Sequence, residues 1–164
     1  MDSPPRAVIA VVIEWRGRLA LFRRNESVGH DRGLWHCITG YLEPGTTPRQ
    51  QALMELEEEA GLSLADLTDF QAGEPLLIAD QFGNPWLVHT FRALSTRRRL
   101  TLNDEHDAYR WCVRAKISRF SNRVTWLGPV LQAAVRDTGM EAPHPSPAQP
   151  AAANPDSGWL DLES

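Results

Sequence analysis

Glu55, Glu58 and Glu59 stand at i, i+3 and i+4 spacing within residues 48–60. At about 100° per residue, a helix turns Glu59 roughly 40° and Glu58 roughly 60° away from Glu55, so three carboxylates share one edge. Ala52, Leu53, Leu56 and Ala60 fall beside them as an apolar stripe that would seat the helix on a sheet. Like charges at this spacing repel by a few tenths of a kcal/mol per pair, about as much as a surface helix tolerates, so the edge calls for a counter-charge. Hard oxygen ligands in this number suit Mg²⁺ or Mn²⁺, which take one or two carboxylates and complete their shell with water and substrate phosphates. Acids and metal together are the equipment for hydrolysing a diphosphate linkage, in which phosphate charge must be neutralised and a water deprotonated. On the helix alone, an ordinary solvated acidic face is the competing reading.

The elements that must position these acids are legible around them. Thr47 is placed as an N-cap, Pro48 as the first helical residue and Gln50 in capping-box spacing, while Gly61 ends the helix. Upstream, residues 7–14 are β-branched and apolar on both faces, as in a central strand. Gly17 turns the chain into a second strand, 19–23, and a polar loop with Gly29 and Gly33 leads to a third, 34–39, that stops at Gly40. Downstream, 76–79 and 86–94 read as a hairpin, Arg97 to Arg99 as a solvated basic strand end, 103–107 as an acidic loop and 109–113 as a final strand. Ser121-Asn122 is expected to cap a closing helix with Val124, Leu127, Leu131 and Val135 inward.

A chain of 164 residues with 42% apolar and 23% charged residues is one soluble globular domain, assigned to 1–139. Five of the 12 prolines lie in residues 140–164 among alanines and serines, so that segment is expected to be a disordered or loosely docked tail, with Trp159 and Leu160 able to anchor its end. The balance of 17 basic against 21 acidic residues argues against a nucleic-acid polymer as partner. The longest apolar run, 7–13, is far short of the roughly 18 residues of a membrane span. No secretory signal is evident at the start, so a cytoplasmic location is expected. Cys37 and Cys112 are too few for a disulfide framework or zinc site and read as buried reduced thiols.

The pattern Gly40-x5-Thr46-x7-Met54-Glu55-Leu56-Glu57-Glu58-Glu59-Ala60-Gly61-Leu62 resembles the box of the Nudix hydrolases, G-x5-E-x7-R-E-U-x-E-E-x-G-U with U a bulky aliphatic. Gly40, Glu55, Leu56, Glu58, Glu59, Gly61 and Leu62 match. Thr46 replaces the first glutamate, and Met54 replaces an arginine that helps orient the glutamates in that family. Residues 35–40, 105–111 and 121–123 are similar to the bacterial branch that includes dihydroneopterin triphosphate pyrophosphatase, also described as a dATP pyrophosphohydrolase.

The resemblance implies an α/β/α sandwich with a mixed sheet, the Nudix fold. It implies metal ligation by Glu55, Glu58 and Glu59, with Glu105 as a further ligand or the base and Asp104 and Asp107 as alternatives to it. Arg23, Arg24 and Arg32 are candidate phosphate contacts, and Trp35 either stacks a base or pterin ring or belongs to the core. The expected function is Mg²⁺- or Mn²⁺-dependent cleavage of a nucleoside or pterin triphosphate to monophosphate and pyrophosphate. The partners expected are a small nucleotide-type substrate and no membrane, with a homodimer allowed. Two other readings stand beside it: a catalytically weak nucleotide-binding or sensor module, which Thr46 and Met54 favour, and a hydrolase of dinucleotides or nucleotide sugars.

Overall fold

The computed structural model describes residues 4–26, 28–29, 31–80, 82–141 and 161–163. Its centre is β1 (Arg6–Trp15), whose alternate side chains enter two different cores. Val8, Ala10 and Val12 face one side of the sheet, and Ile9, Val11 and Ile13 face the other. That division is why the segment reads as apolar throughout rather than alternating. Arg16 (φ 49°) and Gly17 (φ 78°) form a two-residue turn of left-handed conformation into β2 (Arg18–Arg24), matching the twist of a tight hairpin.

The expected third strand is divided. β3 (Trp35–His36) pairs with β2 and β4 (Ile38–Tyr41) pairs with β1, so one segment passes from one neighbour to the next with Cys37 between. The helix α1 (Pro48–Ala60) has the expected bounds and both expected caps. Thr47 Oγ1 accepts from Gln50 N–H (3.1 Å), Gln50 Oε1 accepts from Thr47 N–H (3.0 Å), and Gly61 closes the helix at φ 70°.

Beyond α1, β5 (Leu67–Ala72) is an edge strand that the sequence did not announce, because its pattern Leu-Thr-Asp-Phe-Gln-Ala alternates poorly and is largely exposed. β6 (Leu76–Ala79) and β7 (Pro85–Ser95) form the expected hairpin, and β7 runs parallel to β1. β8 (His106–Val113) pairs with β2 and begins three residues earlier than expected. The sheet order is β5-β7-β1-β2-β8-β9, with β3 on β2, β4 on β1 and β6 on β7. This is the expected mixed sheet in an α/β/α sandwich: α1 covers one face through Ala52, Leu56 and Ala60, and α2 (Leu127–Glu141) covers the other through Leu127, Val130 and Leu131.

Ser121 and Asn122 do not cap α2, contrary to expectation. A 3-10 helix, Arg114–Arg119, precedes them, and residues 122–124 run beside β3, with Trp35 N–H donating to Asn122 O (2.8 Å) and Val124 N–H to Trp35 O (2.9 Å). Tertiary pairing claims this segment before the helix starts. Cys37 and Cys112 are buried and reduced, as expected, and burial pushes their thiols up to about 12 and about 11. No helix among the described residues is long and apolar enough to cross a membrane.

Most of the segment 140–164, including Trp159 and Leu160, lies outside the described residues. Two described pieces depart from a disordered tail: α2 reaches Glu141, and β9 (Asp161–Glu163) pairs antiparallel with Tyr109–Trp111 of β8. A strand there satisfies an edge that would otherwise offer free N–H and C=O groups to another chain. Deleting residues 142–164 should therefore raise self-association in a concentration series by light scattering while leaving turnover within about twofold, since β9 ends short of the acidic site. A truncated protein that stays monomeric at every concentration would count against the edge-covering role.

Candidate active site

Gly40 on β4 lies directly under Glu55. A Cβ at position 40 would fall within 2.7 Å of Glu55 Cγ, so only glycine admits the carboxylate at this depth. Glu55 is half-buried, Glu58 is exposed at the rim, and Glu59 is 1% exposed. The helix thus carries its three acids from solvent to interior across one edge.

The second wall comes from the other half of the chain. Asn25 N–H, just after β2, donates to Glu105 O (2.8 Å), and Glu105 N–H donates to Asn103 Oδ1 (3.0 Å), which fixes the loop that presents Glu105. Arg24 is 8% exposed at the end of β2, where a register shift separates it from Arg23. Its charge is felt by Glu59, Glu105 and His106.

The electrostatics tie these groups into one site. Burial, a hydrogen bond with Glu55 and the nearby charges of Glu105 and Glu55 push Glu59 up to about 10, against the opposing pull of Arg24. Glu105 is also raised, first by partial burial and then by Glu55, with Glu58 and Asp104 adding to it. His106 is pushed down to about 4, by burial and then by Arg24. The 3.8 Å approach of His106 Nδ1 to Glu59 Oε1 therefore joins two neutral groups and is not an ion pair. Neither atom has a hydrogen-bond partner, although both are buried.

The structure sets Glu55, Glu59, Glu105 and Arg24 near enough for their charges to act on one another, with Glu58 acting on Glu105. It does not gather the rest. Asp107 is held by Arg23 (2.7 Å), which removes both from the acidic site. Arg32 is exposed and donates through Nε to Val28 O (2.7 Å) in its own loop. Trp35 is 6% exposed, set edge-on to Phe120 with the guanidinium groups of Arg23 and Arg110 over its ring, so it is core and offers no face to a ligand. Gly40, expected from the sequence to contact substrate, gives room to the Glu55 side chain. His106 and Gln51 were missed, since a single His or Gln beside a motif carries no spacing signal of its own.

A divalent cation fits this donor set. Among the described residues no group of three or more His, Cys, Asp or Glu is arranged to hold a metal ion by itself. Mg²⁺, however, uses one or two carboxylates and fills its shell with water and phosphate. The buried Glu59 Oε1 with no partner, beside Glu55, is the kind of atom that such an ion satisfies.

Comparisons with known proteins agree with this geometry. The family model described as NUDIX domain matches residues 3–134. The MutT protein from Methanosarcina mazei Go1 superposes with a TM-score of 0.71 at 17% identity, covering 84% of this chain and 98% of that one. The Escherichia coli dihydroneopterin triphosphate pyrophosphohydrolase gives 0.64 at 18% identity, covering 82% and 99%. Among curated proteins, an octanoyltransferase from Myxococcus xanthus is 39% identical over 124 residues, which is 68% of this chain and 32% of that protein. The chain spans about a third of that relative's length. With the family model covering most of the chain and the fold shared with these structures, the chain belongs to the NUDIX domain family.

Proposed function

We propose that this chain hydrolyses a nucleoside or pterin triphosphate to monophosphate and pyrophosphate with the help of Mg²⁺ or Mn²⁺. The observation that carries this reading is a buried Glu59 oxygen that lacks a partner, with the charges of Glu55 and Glu105 acting on the same group. Hydrolases of this family generally need divalent cations. Glu55 and Glu59 would hold the cation, with Glu58 and Glu105 at its open side. When bound, the ion supplies neutralisation of phosphate charge and a more acidic water. Glu105, on a loop pinned by Asn25 and partly buried, would accept the proton of the attacking water. Arg24 offsets the negative charge of Glu59 and Glu105, which keeps so many acids tolerable in one crevice. The triphosphate class is supported by the likeness of the chain to the E. coli pterin triphosphate enzyme.

One observation favours a second reading, a nucleotide-binding module of low turnover. Met54 is 46% exposed at the position where the family pattern has an arginine, and no basic residue lies in the last turn of α1.

Two experiments separate the readings. Against a panel of nucleoside and pterin triphosphates, with products identified by mass, hydrolysis should vanish in excess EDTA and return with Mg²⁺ or Mn²⁺. Glu59→Gln should lower kcat by about a hundredfold or more, since losing a ligand oxygen displaces the reacting groups. Full turnover in EDTA, or an unimpaired Glu59→Gln, would sink the metal-dependent reading.

Met54→Arg should raise turnover several-fold with little change in Tm. A partly exposed ion pair contributes only about 0.2–1 kcal/mol to stability. A better-held ligand changes rate far more, because misplacement by about 1 Å can cost roughly a hundredfold. No gain in Met54→Arg, alone or with Thr46→Glu, over a barely active parent would favour the binding module.

A further inference from the structure

Gln51 is a buried amide on the edge of α1 that carries Glu55, one turn before it. At 2% exposure its polar atoms are costly unless they are paired, and both are. Its Oε1 accepts from Glu43 N–H (3.2 Å) in the loop that joins β4 to α1, and its Nε2 donates to Glu55 Oε2 (3.0 Å) one turn ahead. The loop end of this bridge is itself closed by Thr46 N–H donating to Glu43 O (3.1 Å). Glu55 is therefore fixed on two sides, by the missing Cβ of Gly40 beneath it and by the amide behind it.

We propose that Gln51 is a positioning residue for Glu55, linking the β4–α1 loop to that carboxylate and orienting it without adding charge. The inference rests on the hydrolase reading above. The amide donor occupies one lone pair of Oε2 and makes no bond to Oε1. The orienting group is a neutral amide, which adds no charge to the acidic edge.

The test uses the full chain with Mn²⁺ alone as the probe. Binding is followed by the electron paramagnetic resonance signal of free Mn²⁺, and folding by Tm. Gln51→Leu fills similar volume and suits a helix but makes neither hydrogen bond. It should weaken Mn²⁺ binding by about 10–100-fold, as loss of a partner that orients a ligand does, and lower kcat with KM within about twofold. Gln51→Asn keeps the amide but cannot span both partners, and should show the same loss if the leucine variant does not fold. A folded variant that binds Mn²⁺ and turns over within about twofold of the parent would overturn the role of Gln51. A fall in Tm with Mn²⁺ affinity unchanged would also overturn it, by making Gln51 a purely structural anchor. Failure of the parent protein itself to bind Mn²⁺ would instead overturn the hydrolase reading, so the two failures are distinct.

Discussion

The position of the Glu55 side chain depends on a side chain that is absent. With no Cβ at Gly40, Glu55 can lie across β4. The apolar stripe of Ala52, Leu56 and Ala60 meets the sheet beneath it, and small residues at two of those three positions permit a close approach. A Cβ at 40 would meet Glu55 and force its side chain away from the strand. Backbone packing at β4 and placement of this acid are thus one constraint seen from two sides.

Burying Glu59 has an electrostatic cost that the fold distributes. The group is neighboured by Glu55 and Glu105, and in the absence of a cation it keeps its proton. Arg24 is the charge that opposes this cost. A cation would take over the proton's task, which couples metal occupancy to the charge state of the site. Local instability of this kind is common where side chains are arranged for chemistry and not for burial alone.

The helix and its acids could be read directly from the sequence because each signal there is local. Thr47, Pro48, Gln50 and Gly61 cap it, and the glutamates recur at helical spacing. β1 was equally plain, since a strand buried on both faces leaves a run of β-branched residues. What could not be read required knowledge of partners distant in sequence. Trp35 looks like a stacking platform until Phe120, Arg23 and Arg110 are seen around it. Asp107 and Glu105 are indistinguishable in one dimension; only the pairing of Arg23 with Asp107 separates them. Ser121-Asn122 has the composition of a cap, but its backbone is engaged by β3. The strand at 161–163 is defined by the edge it covers and has no strong pattern of its own.

The capping box at Thr47 and Gln50 also makes the chain between it and Glu59 intolerant of changes in length. Inserting or removing one residue there would rotate everything beyond it by about 100° around the helix axis, carrying the glutamates off the sheet edge and the apolar stripe into solvent. Beyond Asn25, whose N–H holds Glu105, the polar loop between β2 and β3 has no helical phase to keep. Evolutionary lengthening in relatives of this chain is therefore expected in that loop, and the distance from cap to carboxylate is expected to stay fixed however the substrate changes.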